Sequence, residues 1–496
     1  MLAKVVGFVL DGLNGCPVDV EVDTNFGLPA FEIVGLPDTA VKESKERVRA
    51  AIKNSGKKFQ NHKITVNLAP AEIKKEGAGL DLPIAVGIMR AYGDIVYESE
   101  EKTFMIGELS LDGGVRGVRG ILPTLISARD MGFKKAIIPF ENAKEGGFLD
   151  GIDVVAVKTL AETCDYLEKK KDIPFLPKSD YSDFIRDVEY ASDLKYVKGQ
   201  KAARRALEVA VSGNHNIIMV GPPGAGKTML AKCVPSIMPD MSFAEALETT
   251  KIHSVAGTLD EEGIVYKRPF MTPHHTASNV AIVGGGQSSK PGIISLAHNG
   301  VLFLDEMPEY SRSTLESLRQ PLEDRVITVS RVRANVRYPA SFMLIGSMNP
   351  CPCGNLGSKT ATCTCTPSQI QKYKSRVSGP LLDRIDIRIN VGSVQYSDLA
   401  GKAEGESSAE VRKRVNRARA IQAERFSGEN INTNAEMSEK HIVKYCQLSV
   451  ECERVLENAF KSLDLSARAR SRIIKVARTI ADMSLSQEIL PEHIYE

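Results

Sequence analysis

Eight consecutive residues have the types and the spacing that a phosphate-binding loop requires. Two glycines separated by four residues let backbone N–H groups turn inward around phosphates, and a following helix adds the partial positive charge of its N-terminus. The lysine after the second glycine reaches the β- and γ-phosphates, and the threonine offers its hydroxyl to Mg²⁺. The residues are Gly221, Pro222, Pro223, Gly224, Ala225, Gly226, Lys227 and Thr228. This stretch, the nucleotide loop, predicts ATP and Mg²⁺ as cofactors.

A second motif places two acids at the end of an apolar stretch. Val301-Leu-Phe-Leu runs directly into Asp305 and Glu306. A buried strand that ends here would deliver Asp305 to the Mg²⁺ shell and leave Glu306 to polarise the attacking water. The two motifs stand in the expected order along the chain, and a glutamate after the aspartate predicts hydrolysis of the nucleotide.

Three further polar residues are candidates for work at the γ-phosphate. Asn349 ends the apolar stretch ASFMLIGSMN, where a third strand would place its side chain near that phosphate. Arg384 and Arg468 are candidates for stabilising transition-state charge, and a neighbouring subunit can supply such an arginine. The alternatives are an ordinary turn at Asn349 and ordinary surface positions for the two arginines.

Four of the nine cysteines form two close pairs. They are Cys351, Cys353, Cys363 and Cys365. Four thiolates can close a tetrahedral Zn²⁺ site, although the single residue within each pair is tighter than the common spacing. The polar segment GNLGSKTAT between the pairs cannot fold on its own, which favours a structural zinc over the alternative of free thiols. His274 and His275 have no acid or cysteine at helical spacing, so we expect a loop role for them.

The net charge of +2, from 64 basic and 62 acidic residues, hides a strongly basic segment. Residues 325–382 contain eight Lys and Arg and no Asp or Glu. Within them RVITVSRVRANVRYP predicts a β-hairpin, on which Arg331 and Arg333 share one face by strand alternation. Together with Arg337 they are candidates for contacts to the phosphates of DNA, without sequence preference because no aromatic ladder accompanies them.

Two helical stretches near the C-terminus are also basic. One carries Arg412, Lys413, Arg414, Arg417 and Arg419, and the other carries Arg468, Arg470, Arg472, Lys475 and Arg478. Solvated faces, or pairing with neighbouring subunits, are the alternative to a nucleic-acid contact for all of these residues.

The elements that position these residues fall into three regions. Alternating strands and helices fill residues 1–170, a charged segment over 171–192 predicts a linker, and a second α/β unit with buried strands fills 193–400. Only helical periodicity remains over 401–496. No run approaches the ~18 apolar residues of a spanning helix, and the N-terminal residues lack the pattern of a signal peptide. We therefore expect a cytoplasmic protein with reduced thiols and no membrane partner.

The motif order from Val197-Lys-Gly-Gln through the nucleotide loop, LFLDE, the MNP asparagine and LLDR resembles that of the AAA+ ATPases. RPFMTPHHTAS, GGGQSSKPGIISLAHNGVLFLDE, MNPCPCG and VARTIADM narrow the resemblance to the YifB/ComM family of magnesium-chelatase-like ATPases, over essentially the whole chain. The resemblance implies an α/β AAA+ core with a parallel sheet, a helical lid after it, and a hexameric ring. It also implies that Arg384 is the finger acting on a neighbour's nucleotide and that Arg468 is the second sensor.

The N-terminal region is similar to the α+β domain of ribosomal S5 domain 2 type that carries proteolysis in Lon proteases. GELSLDGGVRGVRGILPTLISARDMGFKKAIIPFENAKE carries this likeness. Peptide hydrolysis there needs a Ser–Lys dyad. The Gly-rich turn Glu76-Gly-Ala-Gly-Leu80 has no Ser, and Leu122 stands where the lysine would be. We therefore expect an inert domain that binds an unknown protein partner or serves assembly.

These features together predict an ATP-hydrolysing motor that acts on branched or single-stranded DNA as a homo-oligomer. The resemblance implies branch migration or unwinding during uptake and recombination of DNA. A protein unfoldase and a magnesium-chelatase-type motor subunit are the alternatives. The N-terminal domain and the cysteine pairs do not belong to the simpler chelatase subunit.

Overall fold

The computed structural model describes residues 2–97, 102–185, 188–286, 289–330, 335–357, 361–393, 405–463 and 465–496. Its elements form an N-terminal α/β region, a second α/β region around a parallel sheet, and a helical C-terminal region. None of the helices in these ranges combines the length and the apolar character that crossing a membrane requires.

A four-stranded sheet begins the N-terminal region. In spatial order its strands are Leu2–Asp11, Asn14–Asn25, Lys63–Ala69 and Ala30–Val34. The first two pairs are antiparallel and the last pair is parallel. Strand alternation buries Val18, Val20 and Val22 on one face, and the apolar helix Asp81–Tyr92 packs against this sheet. The mixture of strands and helices expected from the sequence of this region is confirmed.

A smaller parallel sheet and a two-stranded ribbon complete the N-terminal region. The sheet has the strands Thr103–Met105, Lys135–Pro139 and Asp153–Val157, and the ribbon pairs Glu108–Leu109 with Val115–Arg116. The helices are Thr39–Asn54, Asp81–Tyr92, Ile121–Asp130, Ala143–Gly146 and Leu160–Leu167.

The second region is built on a five-stranded parallel sheet, here the core sheet. Its spatial order is Phe270–Met271, Val301–Leu304, Met343–Met348, Ile217–Val220 and Ile387–Asn390. Every residue of the second and third strands is buried, as expected for a sheet covered on both faces. Because the strands are parallel, the polar residues that follow them meet at one edge of the sheet.

Short helices surround the core sheet, and two small ribbons accompany it. The helices are Ser182–Ile185, Lys201–Gly213, Lys227–Lys232, Val234–Ile237, Phe243–Ala256, Asn279–Val283, Ile293–Leu296, Arg312–Ser317, Arg319–Asp324, Pro367–Lys374 and Gly379–Leu382. One ribbon pairs Gly284–Gly285 with Lys290–Pro291. The other, here the basic hairpin, pairs Val326–Ser330 with Asn335–Pro339 and confirms the predicted hairpin.

The C-terminal region is helical in the described ranges. Its helices are Ser408–Arg425, Glu439–Tyr445, Val450–Leu463, Ala467–Met483 and Pro491–Tyr495. Val411 and Val415 of the first helix are buried in the same apolar cluster as the core sheet. A separate cluster begins at Phe426 and includes Ile474 and Ile489. The first of these helices therefore packs as part of the core, and the later helices form their own small core.

Candidate nucleotide site

The nucleotide loop follows the strand Ile217–Val220 and leads into the helix Lys227–Lys232. Gly224 and Gly226 have φ values of +75° and +85°, a backbone region that glycine adopts without a steric cost. The Lys227 ammonium donates to the carbonyl oxygens of Gly221 (2.7 Å) and Pro222 (2.9 Å), so it is hydrogen-bonded within its own loop. Burial lowers the pKa of Lys227, and the nearby Asp305 and Glu306 oppose that shift.

Asp305 lies directly after the buried strand Val301–Leu304 and faces the nucleotide loop. Thr228 Oγ1 donates to Asp305 Oδ2 at 2.8 Å, which brings together the two side chains predicted to share a Mg²⁺ shell. A hydroxyl and a carboxylate oxygen are the hard ligands that Mg²⁺ prefers. The sequence motifs, 77 positions apart between these two residues, therefore meet in space as expected.

Glu306 is exposed at the edge of the core sheet where the strand ends. Its backbone has φ +50°, an uncommon conformation for a residue with a Cβ. The Glu306 N–H donates to Ser347 Oγ at 3.2 Å and to Asp305 Oδ1 at 3.1 Å, which fixes the turn. This exposed position beside Asp305 suits the role predicted from the sequence, in which Glu306 polarises the attacking water.

Asn349 follows the strand Met343–Met348, which lies between the other two chemistry-bearing strands. Its Oδ1 accepts a hydrogen bond from the Lys227 ammonium at 3.2 Å. In loops of this kind the lysine reaches the β- and γ-phosphates. An amide that is hydrogen-bonded to this lysine therefore lies close to the position of the γ-phosphate. The structure therefore brings Asn349, Lys227, Thr228, Asp305 and Glu306 to one edge of the sheet.

Ser347 belongs to the same site, and the sequence analysis missed it. It is fully buried, donates from its hydroxyl to Asp305 Oδ1, and accepts from the Glu306 N–H. The available signal was strand alternation, because Ser347 and Asn349 lie two positions apart and share a face. A serine inside an otherwise apolar strand needs a hydrogen-bond partner, and the partner here is the predicted Mg²⁺ ligand.

Arg384 and Arg468 lie together, but away from the loop of their own chain. Both line a cleft of about 530 Å³, here the arginine cleft, together with Asn216 and Glu323. The backbone oxygen of Arg384 accepts from Asn216 Nδ2 at 3.0 Å. Asn216 precedes the strand Ile217–Val220, whereas the nucleotide loop follows it. The arginine cleft is therefore at the opposite edge of the sheet from the nucleotide loop.

An acid neutralises Arg384 in this chain. Its guanidinium pairs with the Glu323 carboxylate, which is 59% exposed. The hydrogen bond from Arg384 lowers the pKa of Glu323, and the charges of Arg384 and Arg468 lower it further. Glu323 belongs to the helix Arg319–Asp324, which leads into the basic hairpin.

The four cysteines converge. Their sulfur atoms all lie within 4.8 Å of one another, the only such group of metal-ligating side chains among the described residues. The distances are 3.4 Å from Cys351 Sγ to Cys353 Sγ, 3.6 Å from Cys351 Sγ to Cys363 Sγ, and 3.7 Å from Cys353 Sγ to Cys363 Sγ. We call residues 351–365 the cysteine knuckle. The histidine pair is separate from it, since His274 Nδ1 bonds Thr276 Oγ1 at 2.7 Å and its ring stacks near that of His275.

The structure describes one of the three arginines that were predicted to contact nucleic acid. Arg331 and Arg333 lie outside the described residues, whereas Arg337 is on the second strand of the basic hairpin and exposed. Lys372 and Lys374, from the same acid-free segment, are also exposed. Arg325 instead pairs with Glu436, and Arg376 pairs with Glu309 at 2.8 Å.

Four arginines of the two basic helices make contacts inside the chain. Arg412 donates to the Ser236 carbonyl at 2.7 Å, and Arg414 pairs with Glu208 and Glu406. Arg472 donates to the Ile385 carbonyl at 2.9 Å, and Arg478 pairs with Asp482 at 3.0 Å. The described contacts therefore favour a structural role for these helices over a nucleic-acid contact.

The Gly-rich turn of the N-terminal region opens onto a cleft of about 500 Å³. The residues that line it include Glu76, Gly77, Arg119 and Lys290, and no Ser, Thr or Cys is among the described lining residues. Leu122 is buried, and its N–H donates to Glu145 Oε1 at 2.7 Å. The cleft thus has no described nucleophile of the kind that peptide hydrolysis would need.

A parallel sheet with a phosphate-binding loop after one strand, and an acid hydrogen-bonded to that loop after the next strand but one, defines the class of phosphate-loop nucleotide-binding proteins. Comparison with known proteins narrows this class. The family profile "Magnesium chelatase, subunit ChlI" matches residues 193–399, "Subunit ChlI of Mg-chelatase" matches 20–142, and "Magnesium chelatase, subunit ChlI C-terminal" matches 405–496.

Full-length relatives complete the assignment. The chain is 42% identical to the protein YifB of Salmonella typhimurium, over 98% of this chain and 94% of the relative. It is 41% identical to the competence protein ComM of Haemophilus influenzae, over 100% of this chain and 96% of the relative. The chain belongs to the YifB/ComM family of magnesium-chelatase-like AAA+ proteins, which supports an ATPase motor. A stretch of 125 residues is also 34% identical to Lon protease 2 of Bacillus subtilis, a partial likeness covering 25% of this chain.

Proposed function

We propose that this ATPase acts on DNA as a hexameric ring and drives branch migration or unwinding during uptake and recombination of DNA. The observation that carries the proposal is that a short stretch of chain joins the basic hairpin to the nucleotide site. The second strand of the hairpin leads through Ala340 into the strand Met343–Met348, which contains Ser347 and is followed by Asn349 of the nucleotide site. A change at the γ-phosphate can therefore be passed directly to the hairpin.

Hydrogen bonds and an ion pair hold the base of the hairpin, so a movement of the strand Met343–Met348 would reach the hairpin. Ala340 N–H donates to the Arg325 carbonyl at 2.8 Å and closes the base. Arg325 has φ +56° and pairs with Glu436 of the helical C-terminal region. The exposed Arg337, with Arg331 and Arg333 assigned to the same hairpin from the sequence, would contact phosphates. The name of the competence protein among the relatives is consistent with DNA uptake.

The position of the arginine cleft supports the proposed ring. Arg384 and Arg468 lie at the opposite sheet edge from the nucleotide loop of their own chain, so neither is placed to stabilise charge on its own nucleotide. A second copy that presents this cleft to the loop would complete the site. We propose that Arg384 is the finger and Arg468 the second sensor of such a composite site, with Lys227, Asn349 and Glu306 supplied by the nucleotide-binding subunit.

The remaining assignments belong to the same proposal. Thr228 and Asp305 hold Mg²⁺, the cysteine knuckle holds a structural Zn²⁺, and ATP binds across residues 221–228. Residues 1–170 form a proteolytically inert domain for an unknown protein partner, joined through 171–192 to an ATPase domain over 193–400 and a helical lid over 401–496. The absence of a Ser, Thr or Cys from the described lining of the N-terminal cleft supports the inert domain.

One assay separates this proposal from its alternatives. ATPase rates are measured with forked DNA, single-stranded DNA, an unfolded protein, or a porphyrin added. The proposal expects stimulation by DNA, most strongly by a form with a junction or a free strand. Stimulation by unfolded protein alone would support an unfoldase, and stimulation by porphyrin alone would support a chelatase motor.

A second measurement tests the hairpin. Arg331, Arg333 and Arg337 are changed together to Ala, and Lys42, Lys53 and Lys58, which are exposed on the N-terminal region, form the control triple. Because each lost phosphate contact to duplex DNA lowers the salt slope by about 0.9, the hairpin variant should lose about two to three units of slope. An unchanged slope and unchanged stimulation would show that the hairpin does not contact DNA.

A further inference from the structure

We propose that the cysteine knuckle positions the nucleotide loop, so that Zn²⁺ on the four cysteines raises the affinity of the loop for ATP. The inference rests on the proposed ATP and zinc sites and is independent of the DNA substrate. Three features carry it: the spacing of the sulfur atoms, a backbone contact between the knuckle and the loop, and a short chain connection from the first cysteine to Asn349.

The sulfur atoms are spaced as zinc ligands. Zn–S bonds of about 2.3 Å in a tetrahedron place neighbouring sulfur atoms about 3.8 Å apart, and three of the pairs here lie at 3.4, 3.6 and 3.7 Å. Backbone N–H groups also point at the thiol groups, from Cys353 to Cys365 Sγ at 3.4 Å and from Leu356 to Cys351 Sγ at 3.3 Å. Such donors stabilise thiolates at structural zinc sites.

The knuckle contacts the nucleotide loop through a glycine. Gly354, next to Cys353, has φ +81°, and a Cβ at this position would lie 2.6 Å from Pro223 Cδ and 3.2 Å from its Cγ. No side chain fits in that gap, so the backbone of the knuckle rests directly on the Pro223 ring. Pro223 is the third residue of the nucleotide loop, so this contact limits how far the loop can open.

The knuckle also reaches the site through Asn349. One residue, Pro350, separates Asn349 from Cys351, and Asn349 Oδ1 accepts from the Lys227 ammonium. After the last cysteine, the helix Pro367–Lys374 places the buried Tyr373 beside Asn349, whose backbone opposes the rise that burial gives to the pKa of Tyr373. Both ends of the knuckle are therefore tied to the residue that contacts the loop lysine.

Metal supplies the order that the sequence of the knuckle lacks. The described residues between the pairs are small or polar apart from Leu356, which is partly exposed, so they bury too little apolar surface to hold one conformation. Zinc binding to the thiolates would provide that energy. Without it, the contact to Pro223 and the anchoring of Asn349 both weaken, and the nucleotide loop pays a larger ordering cost when ATP binds.

The decisive comparison uses two glycines of the knuckle. Gly354 and Gly357 have nearly the same backbone, with φ +81° and +77°, but a Cβ at Gly357 meets nothing within 4 Å. Gly354→Ala and Gly357→Ala therefore carry the same backbone strain, and only the first collides with the loop. Zinc content is measured by mass spectrometry of protein purified without chelator, and the Kd of a fluorescent ATP analogue is measured without DNA.

We expect about one zinc per chain in both variants, a Kd raised about tenfold in Gly354→Ala, and a Kd within about twofold of the parent in Gly357→Ala. Equal Kd values in the two variants would overturn the inference. Pro223→Ala guards against a folding defect, because it removes the ring that the new methyl group strikes. In that background Gly354→Ala should cause little further loss, and an undiminished loss would show that the contact is irrelevant.

Zinc removal is the second arm. A zinc-selective chelator, followed by excess Mg²⁺, should raise the Kd for the analogue, and added Zn²⁺ should restore it. Zinc well below one per chain in protein with all four cysteines reduced, or an unchanged Kd after zinc removal, would refute the proposal. These readouts contain no DNA, so failure of DNA stimulation would refute the proposed motor function and leave this inference standing.

Discussion

At the residue scale, the nucleotide site depends on side chains that three neighbouring strands deliver to one sheet edge. Lys227 donates to carbonyl oxygens of its own loop, Asp305 accepts from the Thr228 hydroxyl, and Glu306 is exposed beside them. Lys227 and Ser347 are buried, whereas Thr228 and Asp305 are half-buried. The exposed position of Glu306 suits its predicted role, which is to polarise the attacking water.

Glu306→Gln should abolish hydrolysis and preserve binding. The amide cannot accept a proton from water, so kcat should fall at least about 100-fold, while the Kd for ATP changes little because Lys227 and the loop backbone remain. Phosphate release and nucleotide binding are measured on the same sample. Glu309→Gln is the matched control, since Glu309 is exposed nearby but pairs with Arg376. A similar loss in both variants would contradict a specific role for Glu306.

Ser347→Ala should weaken the use of Mg²⁺. It removes the hydrogen bond that orients Asp305 and leaves the Glu306 N–H without one acceptor. Since a lost buried hydrogen bond costs about 1–3 kcal/mol, the Mg²⁺ concentration for half-maximal ATPase activity should rise about fivefold or more. Ser295→Ala is the control, because Ser295 is equally buried and its hydroxyl has no hydrogen-bond partner among the residues that the structure describes. An equal effect of the two changes would indicate only a general packing defect.

At the element scale, the arginine cleft decides how the site is completed. Its arginines come from the segment before the strand Ile387–Asn390 and from the helix Ala467–Met483. The parallel strands place Arg384 at the edge opposite the nucleotide loop, and Arg468 lines the same cleft. In the proposed ring, one chain would therefore contribute to two different sites. Within the chain, the ion pair with Glu323 balances the positive charge of Arg384.

Mixing two inactive variants tests this arrangement. Lys227→Ala lacks a working loop, and Arg384→Ala lacks a working finger, so each alone should show almost no ATPase activity. In mixed assemblies, a Lys227→Ala subunit can present its intact Arg384 to the intact loop of an Arg384→Ala neighbour. We expect partial recovery of activity, with a maximum near equal amounts. No recovery, with assembly of the mixture confirmed by sedimentation, would contradict action between subunits.

At the scale of the whole molecule, the N-terminal region packs directly against the ATPase region. Leu13 joins the apolar cluster that contains Tyr338 and Phe342, and Gly12 lies against Val336 of the basic hairpin. The Glu145 carboxylate, buried at this junction, accepts hydrogen bonds from Leu122 and from Ser254 of the helix Phe243–Ala256. The basic hairpin therefore packs against the N-terminal region of the same chain.

This junction should make stability depend on pH. Burial raises the pKa of Glu145, and the hydrogen bonds to it only partly oppose the shift. A carboxyl whose pKa is higher in the folded state binds more protons there, so the free energy of unfolding falls as pH rises from the ordinary value of about 4.5 through the folded value. Glu145→Gln removes this component, so its unfolding midpoint should gain on the parent as pH rises through that window.

Ser254→Ala provides the opposite change. It removes a donor that stabilises the ionised form of Glu145, so the loss of stability with rising pH should become larger than in the parent. Thermal unfolding midpoints across the pH series measure both variants. Parallel curves for the parent and both variants would show that Glu145 does not titrate differently in the folded chain.

Much of the site could be predicted from residue types because its chemistry is local in sequence. The loop Gly221–Thr228 needs a fixed order of glycines, lysine and threonine, and an apolar strand that ends in two acids is visible without a structure. The convergence of the cysteine pairs was predictable in the same way, since four thiols within one short segment form a typical ligand set for a structural metal. Ser347 was missed because one serine in an apolar strand is a weak signal.

The basic helices show the limit of this approach. Charge patterning marked Arg412 and Arg414 as candidates for nucleic acid, but sequence separation hid their partners. Ser236, Asp240 and Glu208 lie more than 170 positions away and meet these arginines only after folding. A run of positive charge cannot reveal whether its counter-charges come from solvent, nucleic acid or the same chain.

Residue order alone was enough to recognise the family and to predict the nucleotide chemistry and the ligands of the cysteine knuckle, because chemistry constrains that order. Which edge of the sheet each residue occupies became visible in the folded chain. Folding joined Ser347 to Asp305, placed Arg384 and Arg468 away from their own loop, and set Gly354 against Pro223. Strand order and close backbone approach are properties of packing, and no single stretch of sequence specifies them.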